Sequence, residues 1–193
     1  SVGGAIQEMV LSNPSALFAN AFPDRDYYTT EKTIRIRCDF ALPSEFLEKC
    51  ALEICGKDGR KLKKISGLTP RTTFNLTLDS VPVGSEKLRL TLHDPNGGKL
   101  GSQSLEIIRL TPRPGHEIKT DRFRRIILKN GEPFFPFGIF GSPEFEPKPE
   151  YEDVFKAYAE TGMNTIIWTM KSEAFFLDSL SDYMDLARKY NLM

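Results

Sequence analysis

Between residues 33 and 93 apolar and polar positions alternate. In "TIRIRCDF", Ile34, Ile36, Cys38 and Phe40 share one face, while Arg35, Arg37 and Asp39 share the other. In "CALEIC", Leu52 and Ile54 point with Cys50. Phe74, Leu76 and Leu78 form the inner face of "TFNLTLD", and Leu88, Leu90 and Leu92 that of "KLRLTLHD". Strict period two marks half-buried strands with one wet face. Turn signals separate them at Lys57-Asp58-Gly59-Arg60, Leu68-Thr69-Pro70, Val83-Gly84-Ser85 and Asp94-Pro95-Asn96-Gly97-Gly98. Adjacent Ile107 and Ile108 break the phase of "SLEIIRL", which predicts a bulge. Short alternating strands at near-regular spacing predict an antiparallel, immunoglobulin-like β-sandwich over 1–111. Within it, "EMVLSN" and "ALFANAF" are expected to supply strands or pack on an edge, and "SVGG" to be flexible.

The pattern changes after residue 111. "TPRPGHEIKTDR" carries two prolines and a glycine and reads as a linker over 112–122. "FRRIILK" and "EPFFPF" bracket Asn130-Gly131, a tight-turn dipeptide. Phe134 to Phe140 is then apolar everywhere except Gly138, which predicts a strand buried on both faces, as in parallel sheets. Tyr151, Val154, Phe155 and Tyr158 recur at helical spacing, with Pro149 in the first turn and Gly162 placed to end the helix. "MNTIIWTM" is a second apolar strand. Phe176, Leu180, Tyr183, Met184, Ala187 and Tyr190 form the apolar stripe of a second helix. Strand, helix, strand, helix over 123–193 is a βαβα segment.

Composition narrows the function classes. Lys+Arg and Asp+Glu both number 26, and this zero balance argues against a nucleic-acid partner. No apolar run reaches the roughly 18 residues of a membrane span. No basic-then-apolar leader opens the sequence, and Ser1 at the start predicts a processed or trimmed chain. Cys38, Cys50 and Cys55 lack metal spacing and are expected to be small core residues. Cys50 and Cys55 would lie roughly 17 Å apart on one strand, beyond disulfide reach. A Cys38–Cys50 bridge across two strands is the weaker alternative, and the redox compartment stays open. "RKLKK" (Arg60 to Lys64) is expected to be a solvated hairpin arm anchored by Leu62 and Ile65 rather than a polyanion site. Asn75-Leu76-Thr77 matches a glycosylation sequon in mid-strand, a pattern frequent by chance. His93 and His116 have no ligand or triad partner at a suggestive spacing, and no metal or cofactor is expected.

The quoted stretches "NGEPFFPFGIFG", "YEDVFKAYAETGMNTIIWTM" and "FFLDSLSDYMDLARKYNLM" together resemble the start of the catalytic (β/α)₈ barrel of clan A glycoside hydrolases, the β-galactosidase and β-mannosidase group. The resemblance covers Arg122 to Met193. It implies that the sandwich precedes the first two units of an incomplete TIM-barrel-type domain. It also implies retaining hydrolysis of oligo- or polysaccharides in the full-length parent, and an extracellular or periplasmic setting. In that family the acid/base and nucleophile glutamates follow the fourth and seventh strands. A barrel needs about 250 residues, and Phe134 to Met193 supplies 60, so this chain is expected to hold no catalytic residue and to be inactive alone.

Candidate carboxylates inside the chain have plainer readings. Glu144 and Glu146 belong to a solvated loop, and Asp178 and Asp182 to the polar face of a helix. Side chains at the carboxyl ends of barrel strands line the substrate site, which singles out Phe140, Trp168 and Met170. Trp168 could stack on a sugar ring or pack in the core. Phe134, Phe135 and Phe137 are expected in the core. The alternative is a non-catalytic carbohydrate- or protein-binding sandwich with an α/β appendage; a third reading is a barrel enzyme with a non-glycosidic substrate. An uncovered two-strand edge invites self-association. If the sandwich folds alone, a chain ending near Leu110 should be soluble and melt cooperatively; aggregation would mean that it depends on the barrel strands.

Overall fold

The computed structural model describes residues 17–140, 150–167 and 173–193. The chain forms two compact units that divide between Pro133 and Phe134. "EMVLSN" lies outside the described residues.

The first unit is an antiparallel β-sandwich. One sheet contains β1 (Phe18–Pro23), β2 (Thr33–Phe40) and β5 (Arg71–Thr77), in the order β1-β2-β5. The other contains β3 (Ala51–Cys55), β4 (Lys61–Ser66), β6 (Gly84–His93) and β7 (Lys99–Arg109), in the order β4-β3-β6-β7. The chain leaves the first sheet after β2, returns for β5 and leaves again, the crossing pattern of immunoglobulin-like sandwiches. Each predicted inner face is buried: Ile34, Ile36, Leu52, Ile54, Leu88, Leu90 and Leu92 have no exposed surface. Burying one such side chain contributes about 1.5–3 kcal/mol. Leu62 and Ile65 of β4 pack against this core from the edge, so "RKLKK" is the anchored hairpin arm its spacing implies.

Glycines fix the turns where the backbone needs φ above zero. Gly59 (φ 81°) turns β3 into β4, and Gly97 (φ 85°) turns β6 into β7. In the second turn Asp94 Oδ1 accepts the N–H groups of Asn96 and Gly98, both at 2.8 Å. The bulge expected at Ile107–Ile108 is absent. Pairing runs unbroken from Gly84↔Arg109 to Leu92↔Gly101, with Ile107 inward and Ile108 outward, and the register shifts instead at His93↔Lys99, beside the glycine turn. Cys38, Cys50 and Cys55 are free thiols. Burial, with the Asp39 charge beside it, pushes the Cys38 thiol up to about 12, so it is inert packing.

Part of the region read as a linker, residues 112–122, is strand. β8 (Ile118–Asp121) pairs antiparallel with β9 (Ile126–Lys129), and β10 (Glu132–Phe134) flanks β9 on its other edge. Asn130 (φ 52°) and Gly131 (φ 86°) take the double positive-φ conformation of a two-residue hairpin turn. β8 is joined to the sandwich by a bridge to Arg25, and Arg122 N–H donates to the Asp24 carbonyl at 2.8 Å.

Among the described residues the second unit holds one parallel pair. β11 (Gly138–Phe140) aligns with β12 (Thr165–Ile167), with the helix Glu150–Glu160 between them in sequence, and the helix Glu173–Lys189 follows. Both helices end in the same cap. Met163 N–H reaches the Tyr158 carbonyl and Gly162 N–H reaches Ala159, while Leu192 N–H reaches Ala187 and Asn191 N–H reaches Arg188. These are Schellman motifs with Gly162 (φ 83°) and Asn191 (φ 56°) in the left-handed position. Phe155, Tyr183 and Leu192 form the small core of this unit.

The single buried strand expected over Phe134–Phe140 is two short strands. Pro136 has no N–H for a ladder, and the chain breaks around it. Phe135 is 80% and Phe137 53% exposed, so neither is core. Met184, assigned above to the apolar stripe, is also 53% exposed, whereas Tyr183 beside it is buried.

Candidate functional site

The parallel register Gly138↔Thr165, Ile139↔Ile166, Phe140↔Ile167 sets the carboxyl ends of β11 and β12 side by side. Phe140 ends β11, and Trp168 follows Ile167 in sequence. Trp168 and Met170, with Glu144 and Glu146, lie outside the described residues, as do the side chains of Phe140 and Asp178. Asp182 is exposed, in keeping with a solvated helix face.

Asn164 organises the amino end of the pair. Its Oδ1 accepts Phe137 N–H at 2.8 Å, and its Nδ2 donates to the Phe135 carbonyl at 3.0 Å. The Thr165 hydroxyl donates to the same Oδ1 at 2.8 Å. The Asn164 backbone completes the clamp, its N–H donating to the Phe137 carbonyl at 2.8 Å and its carbonyl accepting Met193 N–H at 2.9 Å. Ile166 N–H donates to the Met193 carbonyl at 2.6 Å. Those two bonds across Thr165 are the pattern of a parallel ladder, so Met193 lies along the edge of β12 away from β11. Asn164→Ala is expected to destabilise this unit by about 1–3 kcal/mol, and Asn164→Asp by less because it keeps the acceptor for Phe137 N–H; urea titration of both variants measures the difference.

The first unit holds a buried charge cluster. Lys119 on β8 is among the buried residues, and its Nζ contacts Glu31 Oε1 at 2.6 Å, Thr29 Oγ1 at 2.7 Å and Glu117 Oε2 at 3.0 Å. The Thr29 hydroxyl donates to Glu117 Oε1 at 2.6 Å, and the Tyr27 ring lies 5.0 Å from the ammonium. Burial alone pushes the Glu31 carboxyl up, but hydrogen bonds from Lys119 and the Thr29 backbone outweigh it and hold the group below the usual carboxylate range. Glu31 is therefore ionised at neutral pH and has no proton to give as a general acid. Burial, with Glu117 next, raises the Tyr27 phenol.

A carboxyl whose folded pKa lies below its unfolded value stabilises the fold above the unfolded pKa and loses that contribution as pH falls through the folded one. Unfolding at pH 7 and near pH 3 is expected to show an acid-sensitive component that Glu31→Gln reduces.

A cleft of about 450 Å³ opens beside this cluster, lined by Tyr27, Thr29, Arg109, Arg113, His116 and Glu117 among others. Arg109 is committed to structure: its Nη1 donates to the Leu78 and Val81 carbonyls at 3.2 and 2.8 Å. Asn130 Nδ2 lies 3.5 Å from His116 Nδ1. Among the described residues no group of three or more His, Cys, Asp or Glu is placed to hold a metal ion, and no helix is long and apolar enough to cross a membrane.

No protein-family model matches the sequence, and no curated protein matches it. Slight likenesses to solved structures exist. The adhesin domain of Epf from Streptococcus pyogenes is 13% identical over 49% of this chain and 34% of its own, with a TM-score of 0.35. A fibronectin(III)-like module of Clostridium thermocellum CbhA is 15% identical over 45% of this chain and 87% of its own, with a TM-score of 0.34. A β-glucuronidase from Ruminococcus gnavus is 11% identical over 91% of this chain, with a TM-score of 0.35. This chain spans 29% of that enzyme's length. Likenesses this slight assign no activity to the chain.

Proposed function

We propose that this chain is the amino-terminal portion of a retaining glycoside hydrolase, a β-sandwich followed by the first two βα units of a (β/α)₈ barrel. The observation that carries the reading is the order β11, β12, Met193 in one parallel ladder, with helix Glu150–Glu160 between the first two and helix Glu173–Lys189 between the last two. Each new segment adds on the same side of the last, as sequential barrel strands do. The exposed apolar positions Phe135, Phe137, Ile167 and Met184 support it, because a completed barrel would cover such surface. In this reading Phe140, Trp168 and Met170 line the substrate end of the barrel. The two carboxylates that retaining hydrolysis requires, about 5 Å apart, come from later strands.

The test uses the protein encoded by the whole gene. A 2-deoxy-2-fluoro glycoside should label one glutamate carboxyl-terminal to Met193, and Gln at that position should abolish turnover of aryl glycosides. The present chain alone should not turn them over. Turnover by this chain, or a gene with no carboxylate pair downstream, overturns the reading. If the chain acts alone, the same apolar edge would join copies, which sedimentation at rising concentration would report.

A second reading, a non-catalytic binding module, draws on the core of the sandwich, whose buried members among the described residues fall between Leu17 and Ile107. Calorimetric binding of oligosaccharides by the present chain, with no catalytic sequence downstream, would favour it.

A further inference from the structure

The outer face of the β1-β2-β5 sheet is not the plain wet surface that its alternation predicts. Phe22 of β1 and Phe123 of the β8–β9 turn meet edge to face, with centroids 5.7 Å apart. Three guanidinium groups stand over these two rings. Arg37 lies 4.6 Å from Phe22 and 5.3 Å from Phe123, Arg35 lies 5.3 Å from Phe123, and Arg122 lies 5.3 Å from Phe22. Arg71 joins the face from β5, opposite Asp39 in register.

Acidic groups do not balance this face. Asp39 is shared, 3.7 Å from Arg37 and 3.2 Å from Arg71. Asp24 is buried, and its Oδ1 accepts the Tyr28 hydroxyl and the Arg35 backbone N–H. Asp121 Oδ1 accepts the N–H groups of Phe123 and Arg124, and its Oδ2 faces Arg124 at 3.8 Å. Arg35 and Arg122 are exposed, and no carboxylate among the described residues pairs with either guanidinium. A chain of zero net charge thus gathers a positive surplus on one sheet face.

We infer that this face binds an anionic polysaccharide, with Arg35 and Arg122 holding its carboxylate or sulfate groups. Three features select that chemistry. A ring beneath each guanidinium limits its freedom while leaving N–H groups for an oxyanion, which a guanidinium fork can grip at two points. The strand between them and the solvent edge adds Thr73 and Asn75, exposed on β5 opposite Arg37 and Arg35, which suit sugar hydroxyls. Both rings already carry guanidinium groups, so nucleic-acid bases have no open aromatic platform on which to stack. The inference is independent of the glycosidase reading, because it needs no catalytic residue and no barrel.

The experiment is binding of the present chain to polygalacturonate and to heparin, with neutral cellohexaose and single-stranded DNA in parallel, each at several salt concentrations. Binding to either anionic polysaccharide, with the first carrying carboxylates and the second sulfates, is the expected result. The Arg35→Gln/Arg122→Gln double variant should weaken it at least tenfold and flatten its salt dependence. Lys87→Gln, exposed on the other sheet, should change it little, and unchanged melting of each variant separates loss of contact from loss of fold. Failure to bind both anionic polysaccharides, equal or tighter binding of single-stranded DNA, or binding indifferent to the double variant overturns the proposal.

Discussion

Replacing Gly138 by Ala is expected to unpair β11 from β12 and unfold the second unit. A Cβ built at position 138 stands 1.6 Å from the Thr165 carbonyl oxygen and 2.6 Å from its carbon. Ordinary contact begins near 3.4 Å, and the obstacle is backbone rather than the end of a flexible side chain. The strands must therefore separate where they are in register, Gly138↔Thr165. That separation also pulls Phe137 away from Asn164, whose side chain and backbone hold it at 2.8 Å. We expect a cost of at least about 3 kcal/mol, the upper end for overpacking. Hydrogen exchange gives the readout: the Asn164 and Ile166 amides should lose protection while the Leu90 amide in the sandwich keeps it. Native protection at Ile166 in the variant would refute the steric argument.

The second large effect is expected from Lys119→Met. The Lys119 side chain is 2% exposed, and its ammonium has three oxygen neighbours at 3.0 Å or less. Removing it leaves two carboxylates, Glu31 and Glu117, facing each other across the Thr29 hydroxyl with no cation between them. Arg25 remains near Glu31, at 3.7 Å, and softens the loss. Breaking a buried pair from one side costs about 3–5 kcal/mol, and the partial exposure of both carboxylates places this case near the lower end. For a unit of this size that lowers Tm by roughly 10 °C. Adding Glu31→Gln and Glu117→Gln should restore most of it, because neutral partners no longer need the cation. A single variant melting within about 1 kcal/mol of the parent would show the cluster to be solvated rather than buried. Because Lys119 joins β8 to the Thr29–Glu31 segment, a chain cut near Leu110 loses the same cation and should be less stable than one that ends at Pro133.

The two units differ in how legible they were. In the sandwich the inner faces of the alternating strands, such as Ile34, Ile36, Leu88, Leu90 and Leu92, could be counted from the sequence, since a strand with one wet face writes its burial into a period of two. The turn at Asn130-Gly131 was equally plain, because few residue pairs tolerate two positive φ angles. The phase slip at Ile107–Ile108 misled, because an exposed isoleucine at the end of a long strand costs little and needs no bulge. Phe134–Phe140 misled for a related reason: apolar content does not locate a strand end, and Pro136 does. The clamp that Asn164 makes was invisible because its partners, Phe135 and Phe137, lie 29 and 27 residues away in sequence.

By itself the sequence determined the sandwich strands, their inner faces, the glycine turns and the βαβα alternation, because each rests on local periodicity or on backbone angles that few residues adopt. Only the tertiary structure decided where charge and close approach matter. Lys119 occupies a buried strand position that periodicity alone would assign to an apolar residue, and it is tolerable there only because Thr29 and Glu31, about 90 residues earlier, meet it. Arg35 and Arg37 read as wet-face cations until folding set Phe123 beneath them. Gly138 read as a gap in an apolar run until the Thr165 carbonyl filled the space where a side chain would stand.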